Sequence, residues 1–146
     1  MITYTSTRTV KAPISHVFDT VSNIENFSKA IPHIINVEFL SDVKTGVGAK
    51  FRETRIMNGR ETKTDLEVTS YEENQHVRLV SDSHGTVWDT VFTFVEQTED
   101  IKLKMVMEAK SYKLSARIMG YFIKGMVQKA LDEDMDAVQS YCEAAS

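Results

Sequence analysis

The chain opens on an alternating pattern. Residues 2–10 (ITYTSTRTV) alternate and are rich in β-branched types, which predicts a strand. Ala12-Pro13 stops it, and Pro13 suits the opening of a helix, with Ser15 as the expected cap. Over 14–30 the apolar positions Val17, Phe18, Val21, Ile24 and Phe27 recur at three and four. That is one helical face, divided into two short helices near Ser22-Asn23. Pro32 closes the segment, because the residue before a proline avoids the helical region. From 34 to 109 strands and turns follow one another: strands at 34–40, 49–57, 61–71, 76–81, 86–96 and 101–109, with turns at 44–48, 58–59, 72–75, 82–85 and 97–100. Asn58-Gly59 is the strongest hairpin signal, since both central positions of such a turn want positive φ. In the last strand Ile101, Leu103, Met105 and Met107 alternate with Lys102, Lys104, Val106 and Glu108, the pattern of an antiparallel sheet with one covered face.

After that strand the period lengthens. Leu114, Ile118, Phe122, Met126, Leu131, Met135, Val138 and Cys142 recur mostly at three or four, with Arg117, Lys124, Gln128, Asp132, Asp136, Gln139 and Glu143 between them. This predicts one amphipathic helix of about 30 residues, roughly 45 Å long. A helix of that length cannot lie on a small flat sheet. The predicted class is α+β: a strongly curved seven-stranded antiparallel sheet wrapping the long helix, with two short helices after strand 1 and space between sheet and helix that side chains need not fill.

Composition narrows the function. The 146 residues suit a single domain, expected over 1–146, large enough for a substantial core. The net charge of −4 argues against a general nucleic-acid binder, because phosphate contacts need a basic surface. The single cysteine, Cys142, cannot form an intrachain disulfide, and the N-terminus carries no signal-peptide pattern, so a cytoplasmic location is expected. No apolar run approaches transmembrane length, and stable membrane insertion is not expected. His16, His33, His76 and His84 are scattered without zinc-type spacing, and Gly46 and Gly48 do not make a phosphate loop, so neither metal nor cofactor is expected.

The stretches APISHVFDTVSNIENFSKAIPHIINVEFL and TGVGAKFRETRIMNGRE, followed by the aromatic strand and the long C-terminal helix, resemble the START-like, or SRPBCC, superfamily. Within it they are most similar to the polyketide cyclase/dehydrase and lipid-transport family. Residues 23–32 also resemble the coenzyme-Q-binding branch. The resemblance implies a helix-grip (Bet v 1-like/START-like) fold with a deep cavity for a hydrophobic ligand. It implies no particular reaction, since the superfamily includes carriers, receptors, cyclases and partner-binding modules.

Within such a fold the expected cavity wall comprises Phe51, Leu66, Trp88, Thr90, Phe92, Leu103, Met105, Gly120 and Met126. Glu53 and Arg55 share a strand face with Phe51 and Met57, so they point inward if Phe51 does. There they would pair with each other or orient a polar ligand head; a one-residue shift of register would put both in water. Phe94 continues the face of Trp88, Thr90 and Phe92, with Asp89 on the opposite face. Met119 and Met135 are core filler or an adaptable lining. Gly120 and Gly125 inside the helix mark either a bend or space for a ligand, or else close packing on the sheet. Tyr112 and Tyr121 fit the cavity mouth or the surface, and His33 and His84 are expected in surface loops. Lys113, Arg117 and Lys124 lie in the first half of the helix and Asp132, Glu133, Asp134, Asp136 and Glu143 in the second, against the macrodipole. That is a solvated face or an acidic docking end.

The expected function is binding or transport of a small hydrophobic molecule (lipid, polyketide or quinone-like) without catalysis. The alternatives are a cyclase/dehydratase-type enzyme, which gains rate by folding a flexible polyketone and assisting proton transfer, and an interaction module with a vestigial cavity. Homodimerisation is left open.

Overall fold

A computed structural model describes residues 1–144 of the chain. In chain order the elements are β1 (Ile2–Val10), α1 (Ile14–Ser22), α2 (Ile24–Ala30), β2 (Ile34–Phe39), β3 (Lys50–Met57), β4 (Arg60–Glu72), β5 (His76–Ser83), β6 (Thr86–Glu96), β7 (Ile101–Ser111) and α3 (Leu114–Ala144). The strands form one antiparallel sheet in the order β1-β7-β6-β5-β4-β3-β2. After β1 crosses to the far side through α1 and α2, every connection is a hairpin. The ladder slips between Ile34 and Asn36 in β2 and between Val68 and Ser70 in β4. Irregularities of this kind bend a sheet and increase its twist.

Two hairpins are closed by two-residue turns in which both residues have positive φ. Asn58 and Gly59 stand at 53° and 75°, as their sequence predicts, and His84 and Gly85 at 52° and 87°. The second turn is tighter than the predicted 82–85 loop. β5 therefore reaches Ser83, which pairs directly with Thr86. The Gly85 carbonyl also accepts from the backbone amides of Tyr112 and Lys113, which fixes where α3 begins.

The α1/α2 division falls where the pattern places it, with the Asn23 side chain accepting from the Glu25 amide to cap α2. The expected cap of α1 does not. Pro13 occupies the cap position with extended dihedrals, no side chain caps the helix, and Ser15 lies inside its first turn.

The core is built from one face of the sheet, α1, α2 and the C-terminal half of α3. Val17, Phe18, Ile31, Leu103, Met135, Val138 and Cys142 are almost wholly excluded from water. Phe18 packs edge-on against Phe94 and Tyr71. The other face of the sheet carries exposed ion pairs such as Arg52–Asp65 and Lys50–Glu67, each directly cross-strand. Asp89 is the exception there, its carboxylate buried beneath Arg78 and Lys110.

The long helix corrects the sequence reading twice. Leu131, Met135, Val138 and Cys142 are buried as expected, but Leu114, Ile118, Phe122 and Met126, on the same predicted stripe, are exposed. The polar stripe of the C-terminal half is solvent-facing but not free. Gln128 and Gln139 donate to the carbonyls of Thr5 and Thr9, Asp132 accepts from Ser6, Asp136 from Arg8, and Glu143 from the Lys11 amide. These side chains cap the outer edge of β1, an edge strand with unpaired backbone groups. With Glu133 beside Lys129 and His33, and Asp134 bound to Arg55, every acid of the expected docking end has an internal partner. Among the described residues no helix is long and apolar enough to cross a membrane.

Candidate functional site

Three adjoining hollows run between α3 and the concave face of the sheet. The inner one, about 210 Å³, lies under α1, α2 and the middle of α3, against Phe51, Leu66, Phe92 and Met105. The middle one, about 320 Å³, shares Thr64, Leu66, Thr90 and Met107 with it and adds Ser81 and Trp88. The outer one, about 430 Å³, shares Ser83 and Trp88 with the middle and lies beneath the N-terminal half of α3, at Met119, Gly120 and Ile123. An apolar cavity of roughly 150 Å³ accepts a benzene-sized molecule. The inner hollow alone therefore has room for a ring system.

The wall is set by the period of two. Phe51, Glu53 and Arg55 alternate along β3, Thr64 and Leu66 along β4, Leu79 and Ser81 along β5, Trp88, Thr90 and Phe92 along β6, and Met105 and Met107 along β7. All of them border one or another of the three hollows. Two expected positions are elsewhere. Leu103 is fully buried in the core and borders none of these hollows. It precedes Met105 by one step of the same face and lies deeper, where α1 and Phe94 close over the sheet. Met126 is exposed and borders none of the three hollows; it lies on the turn of α3 before Ala130 and Asp134, where the inner hollow ends.

Gly120 borders the outer hollow, and a Cβ placed there would meet Ile2 Cδ1 at an ordinary 3.5 Å. At Gly125 it would meet nothing within 4 Å. Neither glycine is required by close packing. His84 sits in its turn at the rim of the outer hollow, His33 is half-exposed 4.0 Å from Glu133, and Tyr121 is exposed. The exposed Tyr112 donates its hydroxyl to Asp82 at 2.7 Å.

Inside the inner hollow the charged side chains form one cluster. Arg55 Nε donates to Glu53 Oε1, the pairing expected from their shared face. Arg55 Nη1 donates to both carboxylate oxygens of Asp134, at 3.0 and 2.9 Å, a partner the sequence reading did not assign. The three side chains are 10–18% exposed. Burial pushes the Asp134 carboxyl above the usual carboxylate range; the adjacent Arg55 opposes the rise without cancelling it, and Glu53 adds to it. Burial likewise works against the Arg55 charge, but Asp134 and Glu53 outweigh it and hold the guanidinium above its ordinary value. The signal for Asp134 was present: it stands three residues after Leu131 and four before Val138, on the core stripe of α3 rather than beside it.

The wall of the middle hollow carries one more polar group of interest. Ser81 Oγ is buried and has no hydrogen-bond partner among the described residues. An unpaired hydroxyl away from water is costly unless something else satisfies it. Among the described residues no group of three or more His, Cys, Asp or Glu is placed to hold a metal ion.

Solved structures share this architecture. A START superfamily protein from Mycobacterium smegmatis superposes with a TM-score of 0.78 at 16% identity, over 99% of both chains. A protein from Thermus thermophilus does so with a TM-score of 0.78 at 14% identity, again over 99% of both. The di-domain ARO/CYC protein StfQ of the steffimycin biosynthetic pathway reaches 0.82 at 10% identity, with 99% of this chain matched to 51% of that one. At such identities the likeness shows the helix-grip fold alone. A search of curated proteins finds no match. Family membership rests instead on the sequence, whose residues 1–143 match the model of the polyketide cyclase / dehydrase and lipid transport family, and the chain belongs to that family.

Proposed function

We propose that the chain binds a small hydrophobic molecule between α3 and the concave sheet, and that it acts by sequestering that molecule rather than by transforming it. The observation that supports this most directly is the character of the inner hollow: apolar on nearly every side, with one compact polar cluster at Glu53, Arg55 and Asp134. Ligand sites of this kind gain affinity from the apolar wall and orientation from a few polar groups. Phe51, Leu66, Thr90, Phe92 and Met105 are the wall residues proposed to contact the ligand, with Trp88 and Gly120 further along the cleft.

The test has two arms. Native mass spectrometry of protein purified from its own host should reveal a co-purifying small molecule. Titration with the neutral fluorophore N-phenyl-1-naphthylamine should give saturable binding that Thr90→Phe, which fills the junction of the inner and middle hollows, weakens at least tenfold. No binding of the fluorophore, or binding indifferent to Thr90→Phe, overturns the reading.

A second reading, a cyclase/dehydratase-type enzyme, is favoured by one observation. Asp134 combines a raised proton affinity with a place on the cavity wall, as a general acid requires. Its signature is loss of turnover in Asp134→Asn with substrate binding little changed.

A further inference from the structure

The polar cluster also restricts what kind of head group the cavity accepts. Arg55 read alone suggests an anion site, since a guanidinium matches a carboxylate or enolate. The geometry reverses that. Arg55 already spends Nε on Glu53 and Nη1 on Asp134, both within the chain. The cluster therefore holds two carboxylates against one guanidinium. No other cationic side chain borders the inner or middle hollow, and the outer one adds only Tyr4 and His84 among ionisable groups. Beyond the cluster His33, itself 4.0 Å from Glu133, also acts on the Asp134 carboxyl. A ligand carboxylate would have to displace an internal one or become a third carboxylate around a single arginine, in a partly dry site where like charges repel strongly. What the cluster has left to offer is mostly acceptor capacity. Glu53 Oε2 takes no part in these bonds, and each Asp134 oxygen accepts only one. Arg55 Nη2 remains for a neutral oxygen.

We infer that the cavity selects hydrophobic molecules whose polar end is a hydrogen-bond donor, a hydroxyl, phenol or ammonium group, and discriminates against those ending in a carboxylate. This rests on the proposed binding function and adds the chemical class of the ligand. Glu53 and Asp134 accept from the head group, and Arg55 holds the two carboxylates together and supplies Nη2 to any neutral oxygen beside it.

Displacement of N-phenyl-1-naphthylamine by three molecules with one hydrocarbon body tests it: 2-naphthylmethanol, 2-naphthylmethylamine and 2-naphthoate, in mildly alkaline buffer. The alcohol and the amine should displace the fluorophore at concentrations about 10–100-fold below the carboxylate, the span of one charge-assisted hydrogen bond gained or lost. In Asp134→Asn, and separately in Glu53→Gln, removing one negative charge should narrow that gap to about threefold or less. The ranking in the unaltered protein stands without either variant folding. Carboxylate displacement equal to or tighter than that of the alcohol overturns the inference while leaving hydrophobic binding intact. Failure of the fluorophore to bind overturns the binding function itself, and the head-group selectivity with it. A gap unchanged in both folded variants shows that the selectivity arises outside the cluster and overturns the assignment to Glu53 and Asp134.

Discussion

The two halves of α3 each carry apolar residues at helical spacing and meet opposite fates. From Leu131 to Cys142 the apolar stripe is buried under α1, α2 and the sheet, and the polar stripe beside it is tied to β1 through Asp132, Asp136, Gln139 and Glu143. From Leu114 to Met126 the corresponding apolar positions face water, with Phe122 82% exposed, and the sheet-facing side of the helix borders a hollow. One half is core and clamp; the other is one wall of a cleft. The step of five from Met126 to Leu131 breaks the apolar stripe: Phe122 and Leu131, like Met126 and Met135, stand nine residues apart, about half a turn out of phase, so the two apolar sets face opposite ways. Here α1 and α2 cover only one end of the sheet, so only one end of α3 is closed over. Local stability should follow the same division, since burial and contact density govern local opening.

The sharpest way to break the comparison is truncation at matching positions. Met135, 1% exposed, should lose about 2–5 kcal/mol on replacement by alanine. Phe122→Ala, although it removes more carbon, should stay within about 0.5 kcal/mol of the parent. Urea unfolding of both variants decides this. Comparable losses would mean that the N-terminal half is covered in solution.

The seat of the exposed half gives the next largest effect. Gly85 holds a φ of +87°, and a Cβ there would fall 2.8–2.9 Å from Lys113 side-chain carbons, whereas at Gly59, φ +75°, it would meet nothing. Gly59→Ala should cost only the backbone term, about 1–2 kcal/mol. Gly85→Ala should cost more, because Lys113 at the head of α3 must also move. Equal shifts in thermal midpoint would show that this turn does not seat the helix.

A gain of stability is expected inside the exposed half. Gly125→Ala should stabilise by about 1 kcal/mol, since the site is helical and nothing occupies the space a methyl group would take. Calorimetry showing a loss would reveal a local packing or conformational demand on glycine.

The smallest effect concerns pH and sharpens the contrast between the clamp and the cavity wall. Asp134 binds its proton more tightly folded than unfolded. Its contribution to stability therefore falls as pH rises from the ordinary carboxylate value through its raised folded one. On the other face of the sheet, hydrogen bonding to Arg78 holds the Asp89 carboxyl below the usual range, so its contribution is present above the ordinary value and is lost as pH falls. Across the acid limb of a stability–pH profile, Asp134→Asn should steepen the loss and Asp89→Asn should flatten it. Because Arg78 is partly exposed, the Asp89 effect should be at most about 1 kcal/mol.

Much of the fold was legible in the sequence because its determinants are local. Alternation over β1 and β7, positive-φ residues at 58–59, the helix break at Ser22-Asn23 and the stop at Pro32 each act through a few neighbouring residues. The inward face of β3 followed from the same period of two, and with it the pairing of Glu53 with Arg55. The rest depended on contacts between distant segments. Asp134 reaches Arg55 across 79 positions of sequence, and Ser6 and Arg8 reach α3 across more than 120. Which half of α3 is covered depends on where α1 and α2 come to rest. Whether Asp132 belongs to solvent or to β1 depends on which edge of the sheet the helix follows. The sequence by itself determined the elements, the turns and the faces of the strands, through steric and periodic rules that operate within a few residues. Tertiary structure alone decided that one arginine is shared by two carboxylates and that half of a long amphipathic helix is left uncovered, because both are set by the packing of segments that share no local signal.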